Sequence, residues 1–285
     1  MDDLGTMEQR QRTWKKNLYE NTDYPDNYTD KTFLEELKKN VNITEISPLT
    51  AILGAGLVTQ ELCIIVFFVA VYVYLHSGWI EPETVFVQSS LVAAIGYLTY
   101  RIVLTDKNYN EVLITDLRTV LIFVVFGYVL SPVLKTLTDT ISTDTIYAMT
   151  TFMMIIHLIF FDYGVPSAIV SSSLSMNAAI FGSVCLASRL ASPFHAFVLL
   201  TNAVECFVLL PILLSKGRGS VIVLAAMITT AVYALWTVSL IMMFLFICVT
   251  LFVTVLCPVW FLRWQKHKEN IYGPWDEAVV HDVRM

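Results

Sequence analysis

The sequence predicts an all-α, polytopic integral membrane protein with about eight transmembrane helices and a cytosolic amphipathic helix in its N-terminal tail. Three observations carry this. The 285 residues are 56% hydrophobic and 15% charged, with a mean hydropathy of +0.65, far below the charge content that keeps a soluble domain of this length in water. The apolar residues fall in repeated blocks of about 20, the length needed to cross roughly 30 Å of hydrocarbon. Lys and Arg are divided unevenly between the two sides that those blocks define.

The first 48 residues are polar and lack the ordered basic, apolar and cleavage regions of a signal peptide, so none is expected. Within this tail (1–48), "TDKTFLEELKKNV" pairs Thr32 with Glu35 as a capping box. Phe33, Leu34, Leu37 and Val41 share one face and Glu35, Glu36, Lys38 and Lys39 the other, which predicts an amphipathic helix lying on the bilayer or docking on a partner.

The membrane domain (49–262) follows. Candidate spans fall at 49–75, 84–104, 117–134, 145–162, 166–187 and 194–214. The run from Val221 to Leu262 is twice the length of one helix and softens only near Thr237 and Ser239, so it reads as two helices joined by a very tight turn. Connections such as "HSGWIEPE" and "KGRGS" leave no room for a soluble catalytic domain. Eight spans put both tails, including 263–285, on one side. Of the 18 Lys and Arg, 16 lie on that side and only Lys135 and Arg189 on the other, which predicts cytosolic tails.

A net charge of −6 without a basic stripe excludes nucleic acid as a partner. The five cysteines lie in apolar runs with no CxxC pair, so neither a disulfide framework nor a zinc site is expected. No cofactor is indicated. In "HLIFFDYGVP", His157 and Asp162 are too few to ligate a metal, and Asp162, Gly164 and Pro166 read as a turn.

Glu61 and Glu205 sit mid-span, where charge is costly and must face protein. They are either a substrate or proton site, or hydrogen-bonding groups between helices or subunits. The fifth span carries small residues at every fourth position: Ser167, Ser171, Ser175, Ala179, Ser183 and Ala187. Such a stripe lets a neighbouring backbone approach closely, with a hydroxyl-lined conduit as the rival reading. In "LKTLTDTISTDTIYAM", the span count places Asp139 and Asp144 on the side away from the tails. The hydroxyls and carboxylates there cap helix ends or meet a partner. Lys216 and Arg218 of "KGRGS" mark orientation, or attract a lipid phosphate. No Asp-x-Asp pair and no nucleophilic Ser motif occurs, and no catalytic residue is assigned.

Several long blocks go further: "YPDNYTDKTFLEELKKN", "SPVLKTLTDTISTDTIYAM", "HLIFFDYG", "AIVSSSLSMNAAIFGSVCLASRL" and "KENIYGPWDEA", the last carrying Trp275, occur in this order. From about Trp14 to Ala278 the chain resembles the PIG-C family, one of the subunit families of the phosphatidylinositol N-acetylglucosaminyltransferase. The resemblance implies a multi-subunit complex of the endoplasmic reticulum membrane. That complex transfers N-acetylglucosamine from UDP-N-acetylglucosamine to phosphatidylinositol on the cytosolic face, the first step of glycosylphosphatidylinositol anchor synthesis. It also implies that the sugar-transfer chemistry sits on a PIG-A-like partner, and that this chain scaffolds that partner and helps present the lipid. Trp275 is then a structural or partner-contact residue. The rival expectations are a membrane-embedded lipid-modifying enzyme and a lipid transporter, either using its own intramembrane carboxylates.

Overall fold

The structure, a computed structural model, describes residues 24–25, 27–28, 38–39, 46–104, 109–138, 140–164, 170–215, 220–269 and 271–272. The chain divides into two units, Ser47–Leu262 and Met1–Ile46 with Arg263–Met285. In the latter, β1 (Lys38–Lys39) pairs antiparallel with β2 (Ile271–Tyr272), Lys38 opposite Tyr272 and Lys39 opposite Ile271. The amphipathic helix expected from Thr32 to Val41 otherwise lies outside the described residues. Its two described members are extended, because their backbone groups pair with a segment far along the chain rather than with their own preceding turn.

The larger unit is built from helices: α1 (Pro48–His76), α2 (Pro82–Leu104), α3 (Tyr109–Thr136), α4 (Thr143–Phe160), α5 (Ser172–Ala187), α6 (Pro193–Ser215), α7 (Val221–Val238) and α8 (Leu240–Gln265). Six of them, α1, α3, α4, α6, α7 and α8, are long and apolar enough to cross a membrane. At 16 residues α5 is shorter, and α2 carries Glu83, Gln88 and Arg101.

Serine starts most of these helices. Ser47, Ser142, Ser171, Ser192 and Ser220 each accept the backbone N–H three residues on, and Pro48 and Pro193 follow two of them at the first helical position, where a missing N–H costs nothing. The cap at Ser171 begins α5 at Ser172, six residues later than the expected 166. Conversely, α3 begins at Tyr109 rather than 117, running through Asp116 and Arg118. Hydropathy alone reads Asp116 and the residues before it as a loop. The Asp116 carboxylate instead accepts from Arg101 (3.0 Å) and Tyr97 (2.7 Å) of α2, so the helix tolerates it.

The long run after Val221 divides at one residue. Ser239 is fully extended (φ −163°, ψ 129°) and its N–H still reaches the Leu235 carbonyl, which closes α7 before Leu240 opens α8. Two helices widen into π turns, at Glu205–Leu209 in α6 and Phe252–Leu256 in α8. Each lies just ahead of a proline, Pro211 and Pro258. A proline inside a helix has no N–H and its ring crowds the carbonyl four residues back. Opening the preceding turn to an i→i+5 bond, Leu210 to Glu205 and Cys257 to Phe252, relieves that clash.

Contacts at both ends of the helices give their directions. Gly56 lies against Leu224 while Tyr74 bonds Thr237 (2.6 Å), so α1 and α7 run parallel. α8 returns along α1, which packs against both α7 and Phe252–Leu256. His157 faces Ser175, Thr150 faces Gly182 and Thr138 faces Ser188, so α5 runs antiparallel beside α4 along its whole length. Gly127 meets the Phe197 ring and Lys135 bonds the Ala191 carbonyl, making α3 and α6 antiparallel. Phe86 stacks near Phe197 and Gly96 meets Leu213, making α2 parallel to α6. The side where α1 begins, here the proximal side, therefore also carries the 161–171 and 216–220 connections. The distal side carries 77–81, 137–142, 188–192 and Ser239.

The core gathers on α1, α6 and α5, with Cys63, Ile64, Phe68, Ala179, Val198 and Leu199 fully buried. By contrast α3 and α8 present most of their Leu, Val and Phe outward, which only lipid or another apolar protein surface can cover. Exposed Trp79 and Trp236 sit at the distal ends and Trp260 and Trp264 at the proximal end of α8, the depths at which indole favours a membrane interface.

Candidate functional site

Three buried polar side chains of the larger unit, from α1, α4 and α5, meet in one network. Glu61, at the middle of α1, is 3% exposed and His157, near the end of α4, is 1% exposed. Glu61 Oε1 lies 2.8 Å from His157 Nε2. On the other side of the ring, His157 Nδ1 lies 2.8 Å from Ser175 Oγ and 3.0 Å from the Ser175 carbonyl oxygen, while Ser175 Oγ donates to the His157 carbonyl (3.0 Å). The rings of Phe161 and Phe207 close over the imidazole edge-on.

The order carboxylate, imidazole, hydroxyl is that of a serine-hydrolase triad, yet the donors and acceptors run the other way. A carbonyl oxygen only accepts, so Nδ1 carries a hydrogen and points it at Ser175. The serine hydroxyl hydrogen is engaged by the His157 carbonyl. A general base would instead turn an unprotonated nitrogen to the hydroxyl. One further proton lies between Nε2 and Oε1, and wherever it sits the Glu61–His157 pair is neutral overall. The arrangement therefore ties α1 to the α4–α5 hairpin without burying net charge.

A shallow, half-open cleft adjoins this network on the proximal side, with Leu57, Leu214 and Pro211 as its apolar wall and Gln60, Glu61 and Tyr163 among its polar lining. A smaller cleft next to it shares Leu57 and Gln60. At the rim, Asp162 Oδ1 accepts the Gly164 N–H (2.8 Å), and Gly164 takes φ 82°, a left-handed conformation open to glycine. Tyr163 donates to the Leu158 carbonyl (2.6 Å), and burial, reinforced by the Glu61 carboxylate, pushes its phenol above the ordinary value.

The other residues singled out in the sequence fall elsewhere. Ser175, Ala179, Ser183 and Ala187 are buried in α5, and Ser183 donates to the Ala179 carbonyl. Ser171 is the α5 cap. Glu205 opens the π turn of α6 beside Ser89 and Asn202, and its Oε2 is buried with no hydrogen-bond partner. Asp144 lies in the first turn of α4, where a carboxylate favours the helix dipole, and Ser142 is the cap itself. Asp139, Ser167, Lys216, Arg218 and Trp275 lie outside the described residues. Among the described residues no three His, Cys, Asp or Glu side chains cluster as metal ligands.

Sequence alone assigns His157 no partner, since His157 and Asp162 are too few for a metal site; in the structure it meets Glu61, 96 residues away. No local spacing reports that contact; only the coincidence of two titratable groups in two apolar spans hints at it. The Arg101–Tyr97–Asp116 cluster was equally hidden, with Arg101 read only as an orientation signal. Arg101 Nε reaches Tyr97 Oη at 3.0 Å.

These features define an all-helical protein of the membrane class, with six helices long and apolar enough to cross a bilayer and a buried Glu61–His157–Ser175 network. The family model described as phosphatidylinositol N-acetylglucosaminyltransferase, GPI2, matches residues 14–276, and the chain belongs to this family. It is 42% identical over 277 residues to the C subunit of the phosphatidylinositol N-acetylglucosaminyltransferase of Homo sapiens, covering 94% of this chain and 93% of that one. Identity is 30% to the GPI2 subunit of the same transferase in Schizosaccharomyces pombe, covering 94% and 87%, and 26% to that of Saccharomyces cerevisiae, covering 92% and 96%. No solved structure matches.

Proposed function

We propose that this chain is a non-catalytic subunit of a phosphatidylinositol N-acetylglucosaminyltransferase in the endoplasmic reticulum membrane. It holds a PIG-A-like catalytic partner at the cytosolic face and helps present phosphatidylinositol to it. The carrying observation is the use to which the buried polar groups are put. Glu61, His157 and Ser175 satisfy one another across three helices, which is what an assembly device needs and a catalytic acid–base pair does not.

All eight helices cross the bilayer in this reading, and the tails are cytosolic. The pairing of helices supports it. A 16-residue helix measures about 24 Å, short for a span, but α5 lies beside α4 from one end to the other. α2 likewise accompanies α6. Whatever depth α4 and α6 cross, their companions cross with them. Parallel α1 and α7 also require an odd number of crossings between them, and α2 to α6 are five. The proximal side, which bears 16 of the 18 Lys and Arg on the eight-span count, is then cytosolic.

The test is to purify the chain alone and in its complex and to assay both with radiolabelled UDP-N-acetylglucosamine and phosphatidylinositol. Transfer by the complex only is expected. Transfer by the isolated chain overturns the accessory reading in favour of a membrane-embedded enzyme.

A further inference from the structure

We propose that the outward face of α2 docks a transmembrane helix of another subunit of the transferase, one that presents a neutral hydrogen-bonding side chain, Asn, Gln, Ser or Thr, to Gln88. The inference rests on the functional reading above, in which α2 crosses the bilayer, and gives it a contact surface.

Gln88 carries the inference. It follows Pro82 by about 9 Å along α2, and its side chain is exposed. Among the described residues none hydrogen-bonds its carboxamide. The neighbouring hydroxyls differ: Thr99 donates to the Ile95 carbonyl (2.8 Å) and Ser89 to the Phe86 carbonyl (3.4 Å), so each is answered within its own helix. The carboxamide, with two N–H donors and an acceptor oxygen, has no such outlet. Acyl chains neither donate nor accept, so lipid leaves it unmatched.

The residues in line with Gln88 have the spacing of a helix seam. Thr84, Gln88, Leu91, Ile95 and Leu98 follow one another in alternating steps of four and three, and all are exposed. They line one face of α2 over about 21 Å. The helix rests on α6 through Phe86, which meets Phe197, and Gly96, which meets Leu213. Phe86 lies about 160° around the helix from Gln88, so the seam is turned away from α6. Such alternating steps keep a stripe facing a second helix that crosses at about +20°. A single polar residue in the stripe then sets register and choice of partner.

The carboxamide narrows what that second helix carries. Asn, Gln, Ser and Thr both donate and accept, and so can answer it across the interface. A wholly apolar helix leaves it as unmatched as lipid does, and a neutral amide does not offset a charged side chain brought into hydrocarbon. The reading of this chain as one subunit among several supplies the source of the helix.

The experiment uses the whole complex in microsomes. The photo-reactive residue p-benzoylphenylalanine replaces, one at a time, Leu91, Ala94, Ile95 and Leu98, and each adduct formed under ultraviolet light is identified by mass spectrometry. Adducts to one other subunit of the transferase are expected at Leu91, Ile95 and Leu98, and weaker ones at Ala94, which lies about 100° around from Ile95. Gln88→Leu should lower the Leu91 adduct about threefold to thirtyfold, the range for loss of one interhelical hydrogen bond in a membrane. Gln88→Asn keeps the amide and should retain most of the adduct. The thermal midpoint of the isolated Gln88→Leu chain should match the parent, because the carboxamide bonds nothing in its own chain. Adducts to lipid alone, a covalent dimer of this chain, equal yields at all four positions, or a yield unaltered by Gln88→Leu would each overturn the docking face. The accessory role would survive that failure, because it falls only to sugar transfer by the isolated chain.

Discussion

Arg189, between α5 and α6, donates through its guanidinium to the Thr138 carbonyl between α3 and α4. Thr138 in turn donates to Ser188, and Lys135 donates to the Ala191 carbonyl at 2.7 Å. Both basic residues that depart from the charge bias thus bind distal connections together. Arg189→Ala should lower the thermal midpoint of the detergent-solubilised chain. Because Arg189 Nε is itself buried without a partner, the net loss should lie near the lower end of the usual range, about 1 kcal/mol. An unchanged midpoint would show that the two connections hold their positions independently.

The Glu61–His157 pair is open to a double-mutant cycle. His157→Leu leaves a carboxyl buried without its partner and should cost about 3–5 kcal/mol, whereas Glu61→Leu leaves an imidazole nitrogen unmatched at about 1–3 kcal/mol. Glu61→Gln, able to donate to Nε2, should be milder. The double Leu variant should be more stable than the sum of the two single losses, read by denaturant or thermal unfolding. Strict additivity would mean that the two side chains do not interact.

Ser175 and Ser173 provide a matched pair on α5. Ser175 is 3% exposed against α4, and Ser173, exposed, lies about 160° away around the helix. Ser175→Leu should reduce folded yield, and the loss should appear in the isolated chain, since its neighbour is α4 of the same chain. Ser173→Leu should be tolerated. Equal recovery of both variants would remove the packing role of the small-residue stripe.

Sidedness has two probes. Asn27-Tyr28-Thr29 is a glycosylation sequon in the tail that the proposed topology places in the cytosol, so no glycan is expected. A glycosidase-sensitive mass shift lost in Asn27→Gln would invert the topology. In a background without native cysteines, Thr140→Cys should react with an impermeant maleimide only after sealed microsomes are opened. Labelling from outside would place the 137–142 connection in the cytosol and overturn the eight-span count.

Much of the helical order was legible because hydropathy needs only local information. The break at Ser239 showed as two hydroxyl residues in a run twice the length of a span, and the Ser caps stood in plain view. Boundaries failed where a distant partner decided them. Asp116 looked like the end of a loop until Arg101 was beside it, and Lys38–Lys39 is extended because Ile271–Tyr272 lies opposite. The cleft was illegible for the same reason, since Gln60, Asp162 and Ser215 come from three segments whose rotation about their own axes no single-chain pattern reports. The π turns were within reach: Pro211 and Pro258 each stand inside an apolar run, and the open turn follows from their chemistry.

The 96 residues between Glu61 and His157 also set a clock. At about 5–20 residues per second, Glu61 leaves the ribosome roughly 5–20 s before the histidine that meets it. During that interval no residue of α4 or α5 exists to answer its carboxyl, and an unmatched charge at the bilayer centre costs on the order of 2.5–3.5 kcal/mol. α1 must therefore wait as a protonated acid, shallow at the interface, or held by the insertion machinery until the α4–α5 hairpin arrives. The first helix to be made is thus among the later ones to be locked in place.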